Sequence, residues 1–267
     1  MKASLITVCY QTPHLIRLLL RGLERAQLSF PCEYFLVDNG HDGTADMVRA
    51  NFPWVQVISA PGNVGFAAGN NLAIREAKGE YIILVNPDLT VMPGEMEKLV
   101  SFADAHPEYG LIGPRLEHPN GERQATSTRF PSPFMPLYSR TLLGRAPWGQ
   151  RALERYHQAD YDHETVYETD ALYGAAMLIR RSVFERIGLF DERFFMYYED
   201  IDLCRRAWAA GFRVAYAPVA CFIHYHQRQS VIRAPWEILT NRLARIHIAS
   251  GVRYFLKYRN VPWPRRS

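Results

Sequence analysis

The chain has 267 residues, of which 48% are hydrophobic and 22% charged, with a formal net charge of +4. That balance predicts a soluble globular protein with a sizeable core, large enough for one big domain or two small ones. The modest positive excess sits mostly at the C-terminal end, which argues against nucleic-acid binding, and no apolar run reaches membrane-spanning length.

Met1-Lys2-Ala3-Ser4-Leu5 runs straight into a strand-like segment and lacks the apolar core of a signal peptide. Cys9, Cys32, Cys204 and Cys221 are scattered without a CxxC pair, which predicts reduced, structural thiols in a cytoplasmic protein. Residues 4–9 read as a strand and residues 14–25 as a helix with a Leu-rich face. A second strand at 34–37 ends in Asp38-Asn39-Gly40. A short helix at 44–50, a third strand at 55–58, a helix at 66–77 closed by Gly79, and a fourth strand at 81–85 follow. This alternation predicts a mostly parallel sheet with helices on both faces. Thr7 and Tyr10, Asp38 and Asn39, and Asn86 and Asp88 gather at successive strand ends. They would share the sheet edge at which open α/β folds bind ligands.

Gly62-Asn63-Val64-Gly65-Phe66-Ala67-Ala68-Gly69-Asn70-Asn71 opens the helix before the fourth strand. Glycine permits close backbone approach, and a helix N-terminus can receive an anion. The run is not G-x-G-x-x-G and does not follow the first strand, so a dinucleotide-binding dehydrogenase is disfavoured. After Tyr81-Ile82-Ile83-Leu84-Val85 comes Asn86-Pro87-Asp88. Pro87 cannot extend a central strand, so Asp88 lies just past the strand's carboxyl end, a natural ligand for a hard divalent cation; the same tripeptide is also an ordinary turn.

Residues 117–170 hold Pro119, Pro131, Pro133, Pro136 and Pro147 among Arg123, Arg129, Arg140, Arg145 and Arg151, with little strand pattern. Such segments often serve as binding loops or lids, and Arg129 is placed to reach a phosphate, or simply to be solvated. The stretch from Gly188 to Arg206 then sets Phe190, Phe194, Tyr197 and Tyr198 against Asp191, Glu192, Glu199, Asp200 and Asp202. Ile201, Cys204 and Trp208 recur at helical spacing and Gly211 supplies a stop, so a helix begins at Glu199-Asp200. Its dipole would favour charged carboxylates there, either as a general base at the mouth of an apolar pocket or only to stabilise the helix. Cys221-Phe222-Ile223-His224-Tyr225-His226 reads as a strand whose two histidines share a face. Residues 236–258 read as an amphipathic helix with Ile238, Leu239, Leu243, Ile246, Ala249, Val252 and Leu256 on one side and Arg242, Arg245, Arg253, Lys257 and Arg259 added. It suits either an anionic membrane surface or packing on the domain with a basic outer face.

Val37-Asp38-Asn39, the Asn63 to Asn71 run, Asn86-Pro87-Asp88, Gly113-Pro114-Arg115, Gly174-Ala175-Ala176-Met177-Leu178-Ile179-Arg180-Arg181 and the Phe190 to Arg206 stretch occur in an order that resembles family 2 glycosyltransferases of the GT-A fold, in the bacterial rhamnosyltransferase-like branch. The resemblance implies a nucleotide-diphospho-sugar transferase fold. Residues 1–235 would form the catalytic domain, with a nucleotide-sugar half (1–115) and an acceptor half carrying the base (116–235), and residues 236–267 a basic amphipathic helix and tail. It implies inverting transfer, with L-rhamnose from dTDP-L-rhamnose as the branch's donor, onto a saccharide or lipid-linked acceptor in cell-surface polysaccharide synthesis. A UDP-hexose donor, or a non-catalytic nucleotide-sugar-binding subunit, are the alternatives.

Carried over residue by residue, Asp200 matches the catalytic base, with Glu199 orienting the acceptor or supporting it. Asp88 matches the metal-binding acid for Mg2+ or Mn2+, and His224 a histidine that can join it, with His226 as rival. Asp38 matches the acid that contacts the pyrimidine, Thr7 and Tyr10 the loop beneath the base, and Gly65 and Asn70 the nucleotide pocket. Asn86 stands where many relatives carry an acid and is assigned to ribose or a water. Gly174, Tyr173 and Arg129 fall to the acceptor side, where Tyr173 replaces a smaller residue. Gln11 and Gly40-His41 also depart from the pattern. A homodimer and contact with the inner face of a plasma membrane are compatible with this reading.

Overall fold

The computed structural model describes residues 1–225 and 240–264. Its strands are built of residues that bury alternately on two faces. In β1 (Ala3–Cys9), Leu5 enters one core and Ile6 the other. β2 (Cys32–Asp38) divides Leu36 from Phe35 and Val37, and β4 (Tyr81–Val85) divides Ile83 from Ile82 and Leu84. Period-two burial on both faces is what a sheet covered by helices requires. Each fully buried Leu or Ile contributes roughly 1.5–3 kcal/mol.

Helices α1 (Pro13–Ala26), α2 (Thr44–Asn51) and α3 (Gly65–Glu76) connect β1, β2, β3 (Val55–Ser59) and β4, which are parallel in the order β3-β2-β1-β4. The sheet then continues as β11 (Ala176–Arg180), β6 (Tyr109–Glu117), β12 (Arg213–His224) and β5 (Leu89–Val91). β11 is antiparallel to both β4 and β6, β12 is parallel to β6, and β5 is antiparallel to β12. The first four strands are thus all parallel to one another, and the rest of the sheet is mixed. α4 (Glu95–Ala105), α7 (Arg181–Ile187) and α8 (Glu199–Ala209) complete the layers.

The proline-rich segment is more ordered than its composition suggests. β7 (Arg123–Gln124) pairs with β6, and β8 (Ser127–Thr128) pairs with β10 (Ala171–Leu172). α5 (Met135–Arg140), a 3-10 turn (Leu142–Arg145) and α6 (Pro147–Tyr156) follow, and β9 (Tyr167–Glu168) pairs with β12. Pro147 is at the first position of α6, where a missing N–H costs nothing.

The C-terminal helix α9 (Arg242–Tyr258) is present, while the start of the expected helix and His226 lie outside the described residues. None of Leu243, Ile246, Ala249, Val252 and Leu256 is among the residues α9 buries. The face turned to the protein is Ala244, His247, Ser250, Gly251 and Tyr254, whereas Ile248, Val252 and Leu256 point outward at 37%, 53% and 60% exposure. Small and aromatic residues win the inner face because Tyr198 lies directly on it. A Cβ on Gly251 would come within 3.2 Å of the Tyr198 hydroxyl, and the His247 and Tyr254 rings lie 5.4 Å from that of Tyr198. α9 is bolted to α8 by Lys257, which reaches Asp202 at 2.5 Å and Asp191 at 2.8 Å, and by Arg205, whose guanidinium lies 4.0 Å from the Tyr258 ring and 4.4 Å from that of Trp263. No helix among the described residues is long and apolar enough to cross a membrane. The cysteines form no disulfide among these residues, and Cys9 and Cys204 are buried.

Candidate active site

The five carboxylates between residues 190 and 203 divide into two groups. Asp191 binds Arg193 and Lys257, and their charges hold its carboxyl far below the usual range. Glu192 takes Asn71 and Arg75. Asp202, fully buried, is closed by Arg206, Lys257 and the Tyr258 hydroxyl. These three fasten the loop and α9 in place. Glu199 and Asp200 are also buried, yet neither meets a cation among the described residues.

Glu199 and Asp200 open α8, as the spacing predicts, after Tyr197 and Tyr198, both in the left-handed region at φ 71° and 70°. Two consecutive non-glycine residues there store backbone strain of order 1–3 kcal/mol each. Asp200 Oδ2 accepts from the Gly174 amide at 2.9 Å and Oδ1 from the Ile201 amide at 2.8 Å. The expectation that the helix end keeps both groups readily charged is overturned. Burial raises the Asp200 carboxyl in spite of the two amides. Burial, and after it the charge of Asp200, holds Glu199 well above the usual range, and Glu199 Oε2 has no hydrogen-bond partner among the described residues. Desolvation outweighs a helix end because it acts on the whole charge, whereas the dipole offers half a charge at best. Raised folded values mean that this pair's contribution to stability is complete below the unfolded carboxylate value of about 4 and is lost as pH rises through the folded ones. At neutral pH the pair therefore costs stability. Asp200 accepts two amides while Glu199 Oε2 accepts none among the described residues, so of the two Asp200 is better supported in its charged form.

Three backbone contacts bring the other motifs to Asp200. Asn86 N donates to the Ala175 carbonyl at 2.9 Å, so the Asn86-Pro87-Asp88 turn lies beside Gly174-Ala175. Phe66 N, in the first turn of α3, donates to the Phe195 carbonyl at 2.7 Å. Gly65, at φ 87°, lies against Phe195 so tightly that a Cβ would overlap that carbonyl. The first two amides of α3 are thus spent inside the protein rather than on an anion, Gly65 N on Asn63 Oδ1 and Phe66 N on the Phe195 carbonyl. A Cβ added at Gly174 would come within 3.2 Å of the Phe66 ring and 3.6 Å of the Asp200 side chain.

Asp88 is paired through sheet register. His224 stands opposite Leu89 in the β12–β5 ladder, the Tyr225 amide donates to the Asp88 carbonyl, and His224 Nε2 comes 3.3 Å from Asp88 Oδ1. Gln124, which no sequence signal singled out, fixes the His224 ring. Its Nε2 donates to the His224 carbonyl at 2.7 Å, so its Oε1 must be the atom 2.8 Å from His224 Nδ1. Nδ1 therefore carries a proton, and Nε2 is directed at a carboxylate oxygen. In the neutral ring that is lone pair facing lone pair, a donor set that a divalent cation satisfies; the Gln–His arrangement is the outer-shell pattern of metal-ligating histidines. The pair fits such an ion. Among the described residues no group of three or more His, Cys, Asp or Glu is placed to hold a metal.

The remaining expectations fare unevenly. Thr7 lies inside β1, not in the loop after it. The Tyr34 hydroxyl donates to Thr7 Oγ1, which donates to the Val85 carbonyl at 2.5 Å, so this buried side chain ties three strands and is closed to a base. Tyr10 is 44% exposed just past β1, open for stacking. Asp38 Oδ1 accepts from Gly40 N at 2.8 Å and His41 N at 3.2 Å and shapes the loop after β2, whose His41 Nε2 donates to the Ala60 carbonyl at 2.7 Å. Asn70 braces its own helix, donating to the Phe66 carbonyl at 2.9 Å. The neighbouring Asn71 makes the long-range contact, giving to the Phe190 carbonyl and accepting from its amide. Asn39 Nδ2 holds the Gly65 carbonyl at 3.1 Å. Tyr173 donates its amide to the Thr126 carbonyl. Arg129 is spent on Asp160 at 2.6 Å, and no contact joins it to Gly174 or Asp200 among the described residues.

Comparison with known proteins agrees with this geometry. The model of glycosyl transferase family 2 matches residues 4–188, and that of glycosyl transferase family group 2 matches residues 150–243. The N-acetylglucosaminyl-diphospho-decaprenol L-rhamnosyltransferase of Mycobacterium tuberculosis is 30% identical, across 94% of this chain and 82% of that protein. Rhamnosyltransferase WbbL of Escherichia coli is 27% identical, across 74% of this chain and 72% of that one. The mannosyltransferase PcManGT from Pyrobaculum calidifontis, solved in complex with GDP-Man and Mn2+, shares the fold with a TM-score of 0.59 at 18% identity, over 94% of this chain; the match spans 64% of that chain.

Proposed function

Because the chain belongs to glycosyl transferase family 2, in its rhamnosyltransferase-like branch, and is a glycosyltransferase of GT-A fold, we propose that it moves a sugar with inversion from a nucleoside-diphosphate donor onto a lipid-linked saccharide in bacterial cell-surface polysaccharide synthesis. The donor proposed is dTDP-L-rhamnose. The observation that carries the mechanism is Asp200, a buried carboxylate without a counter-ion among the described residues, held by the Gly174 amide beside the Asn86-Pro87-Asp88 turn.

Each Asp200 oxygen accepts one amide and keeps a lone pair for an acceptor hydroxyl. Asp200 takes that hydroxyl's proton as the oxygen attacks the anomeric carbon. The bond from that carbon to the donor phosphate breaks on the opposite face, so configuration inverts and no covalent enzyme intermediate forms. Glu199 orients the acceptor or supports Asp200. Asp88 and His224 would hold Mg2+ or Mn2+, which neutralises charge on the leaving diphosphate when bound. The outward aliphatic and arginine face of α9 suits peripheral contact with an anionic membrane.

Calorimetric titration with dTDP, UDP and GDP, each with and without Mn2+, tests this reading. Metal-dependent binding that favours dTDP is expected, with Gln124→Leu weakening the metal-dependent part about 10- to 100-fold. A preference for UDP would move the donor to a UDP-hexose. Failure to bind any nucleotide would overturn the enzymatic reading.

A further inference from the structure

Sugar transfer at Asp200 leaves the outer face of α9 unused. There Arg242, Arg245 and Arg253 line a cavity of about 320 Å3 together with Ile246, Ala249 and Phe195. Three helical turns separate Arg242 from Arg253, so the two stand in one row roughly 16 Å long, with Arg245 beside it. Ala249 between them keeps the floor low. Arg253 donates one N–H to the Arg193 carbonyl at 2.9 Å. None of the three arginines meets a carboxylate among the described residues, where Asp191 and Asp202 are taken by Arg193, Arg206 and Lys257. Residues 241–264 contain no Asp or Glu.

Three like charges around one cavity repel, and a multivalent anion relieves that repulsion; the planar guanidinium fork matches phosphate oxygens in particular. The cavity also shares Phe195 with the segment that leads into the candidate site. Phe195 forms part of its wall, while the Phe195 carbonyl anchors the head of α3 and the same segment leads into Glu199-Asp200. Beside the arginines run Ile248, Val252 and Leu256, exposed at four-residue spacing, an apolar track beside the anion site.

We infer that this cavity is a phosphate subsite, which takes the diphosphate joining an acceptor sugar to its lipid while the first apolar units of that lipid lie along Ile248, Val252 and Leu256. The assignment rests on the glycosyltransferase reading for the sugar's place at Asp200. A phospholipid headgroup offers the same phosphate chemistry, so the test separates the two sources.

The full chain is titrated with farnesyl diphosphate in EDTA, which silences metal-dependent donor binding, and separately with vesicles of equimolar phosphatidylcholine and phosphatidylglycerol. The wild type is expected to bind farnesyl diphosphate. The Arg242→Gln/Arg245→Gln variant, altered only at exposed side chains, should keep its melting temperature and lose affinity on the order of 30-fold. Asp88→Ala should bind as the wild type does. Equal binding by wild type and double variant, no binding by either, or loss of binding in Asp88→Ala would overturn the subsite. So would vesicle binding that depends on the two arginines while farnesyl diphosphate binding does not, which would assign the cavity to the membrane surface. None of these readouts requires nucleotide binding or turnover, so failure of the subsite and failure of the glycosyltransferase reading are distinguishable.

Discussion

Asp200→Asn is expected to bind the donor nucleotide within about twofold of wild-type affinity and to lose sugar transfer by roughly 100- to 10,000-fold, the usual worth of a positioned base. The amide keeps the shape and one acceptor atom for the Gly174 or Ile201 amide, but it cannot take a proton. The same argument fixes the pH dependence. Asp200 must be ionised to act, and burial raises its carboxyl. In the wild type kcat therefore falls as pH drops through a value above the ordinary carboxylate pKa of about 4. Steady-state rates from acid to neutral pH, with calorimetry for the nucleotide, check both halves. Wild-type turnover in Asp200→Asn would remove the base assignment.

Gly65→Ala is expected to cost roughly 2–6 kcal/mol, the sum of a left-handed non-glycine residue and an overpacked contact. The new methyl would meet the Phe195 carbonyl, which holds the Phe66 amide. Separation of α3 from the Phe195 segment disturbs the Phe66 ring against Gly174 and, through it, the amide that binds Asp200. Stability and turnover should fall together. Gly62→Ala is the control, because Gly62 also has positive φ but nothing within 4 Å of the added methyl; it should show the strain cost alone with near-normal turnover. Both are read by denaturant unfolding and initial rates. Equal effects of the two substitutions would mean that the Gly65–Phe195 contact is not what positions the site.

The elements legible in the sequence were those whose pattern is local. β4 is a continuous apolar run buried on both faces, and its observed bounds are those read from the sequence. α8 begins at Glu199 as its spacing predicts. What stayed hidden is tertiary. Gln124 meets His224 across 100 residues of chain, from a two-residue strand in a segment that reads as irregular. Thr7 looks like a strand-end ligand until Tyr34 and Val85 are seen to consume its hydroxyl. For the carboxylates, the helix dipole is visible in sequence and the degree of burial is not, and burial decides their protonation. The C-terminal helix is legible by its period, but its inner face is not, because it is built of Ala244, His247, Ser250, Gly251 and Tyr254, which hydropathy does not mark.

The central claim is single displacement with Asp200 as base, and the anomeric configuration of the product tests it most directly. The wild-type protein would be supplied with the nucleotide-sugar that calorimetry selects and a diphospho-linked acceptor, and the new linkage read by proton NMR. A product of configuration opposite to the donor's is predicted. Retained configuration would contradict the account, because it requires either a covalent intermediate on a nucleophile or a same-face departure, and Asp200 would then not act as the base of a direct attack.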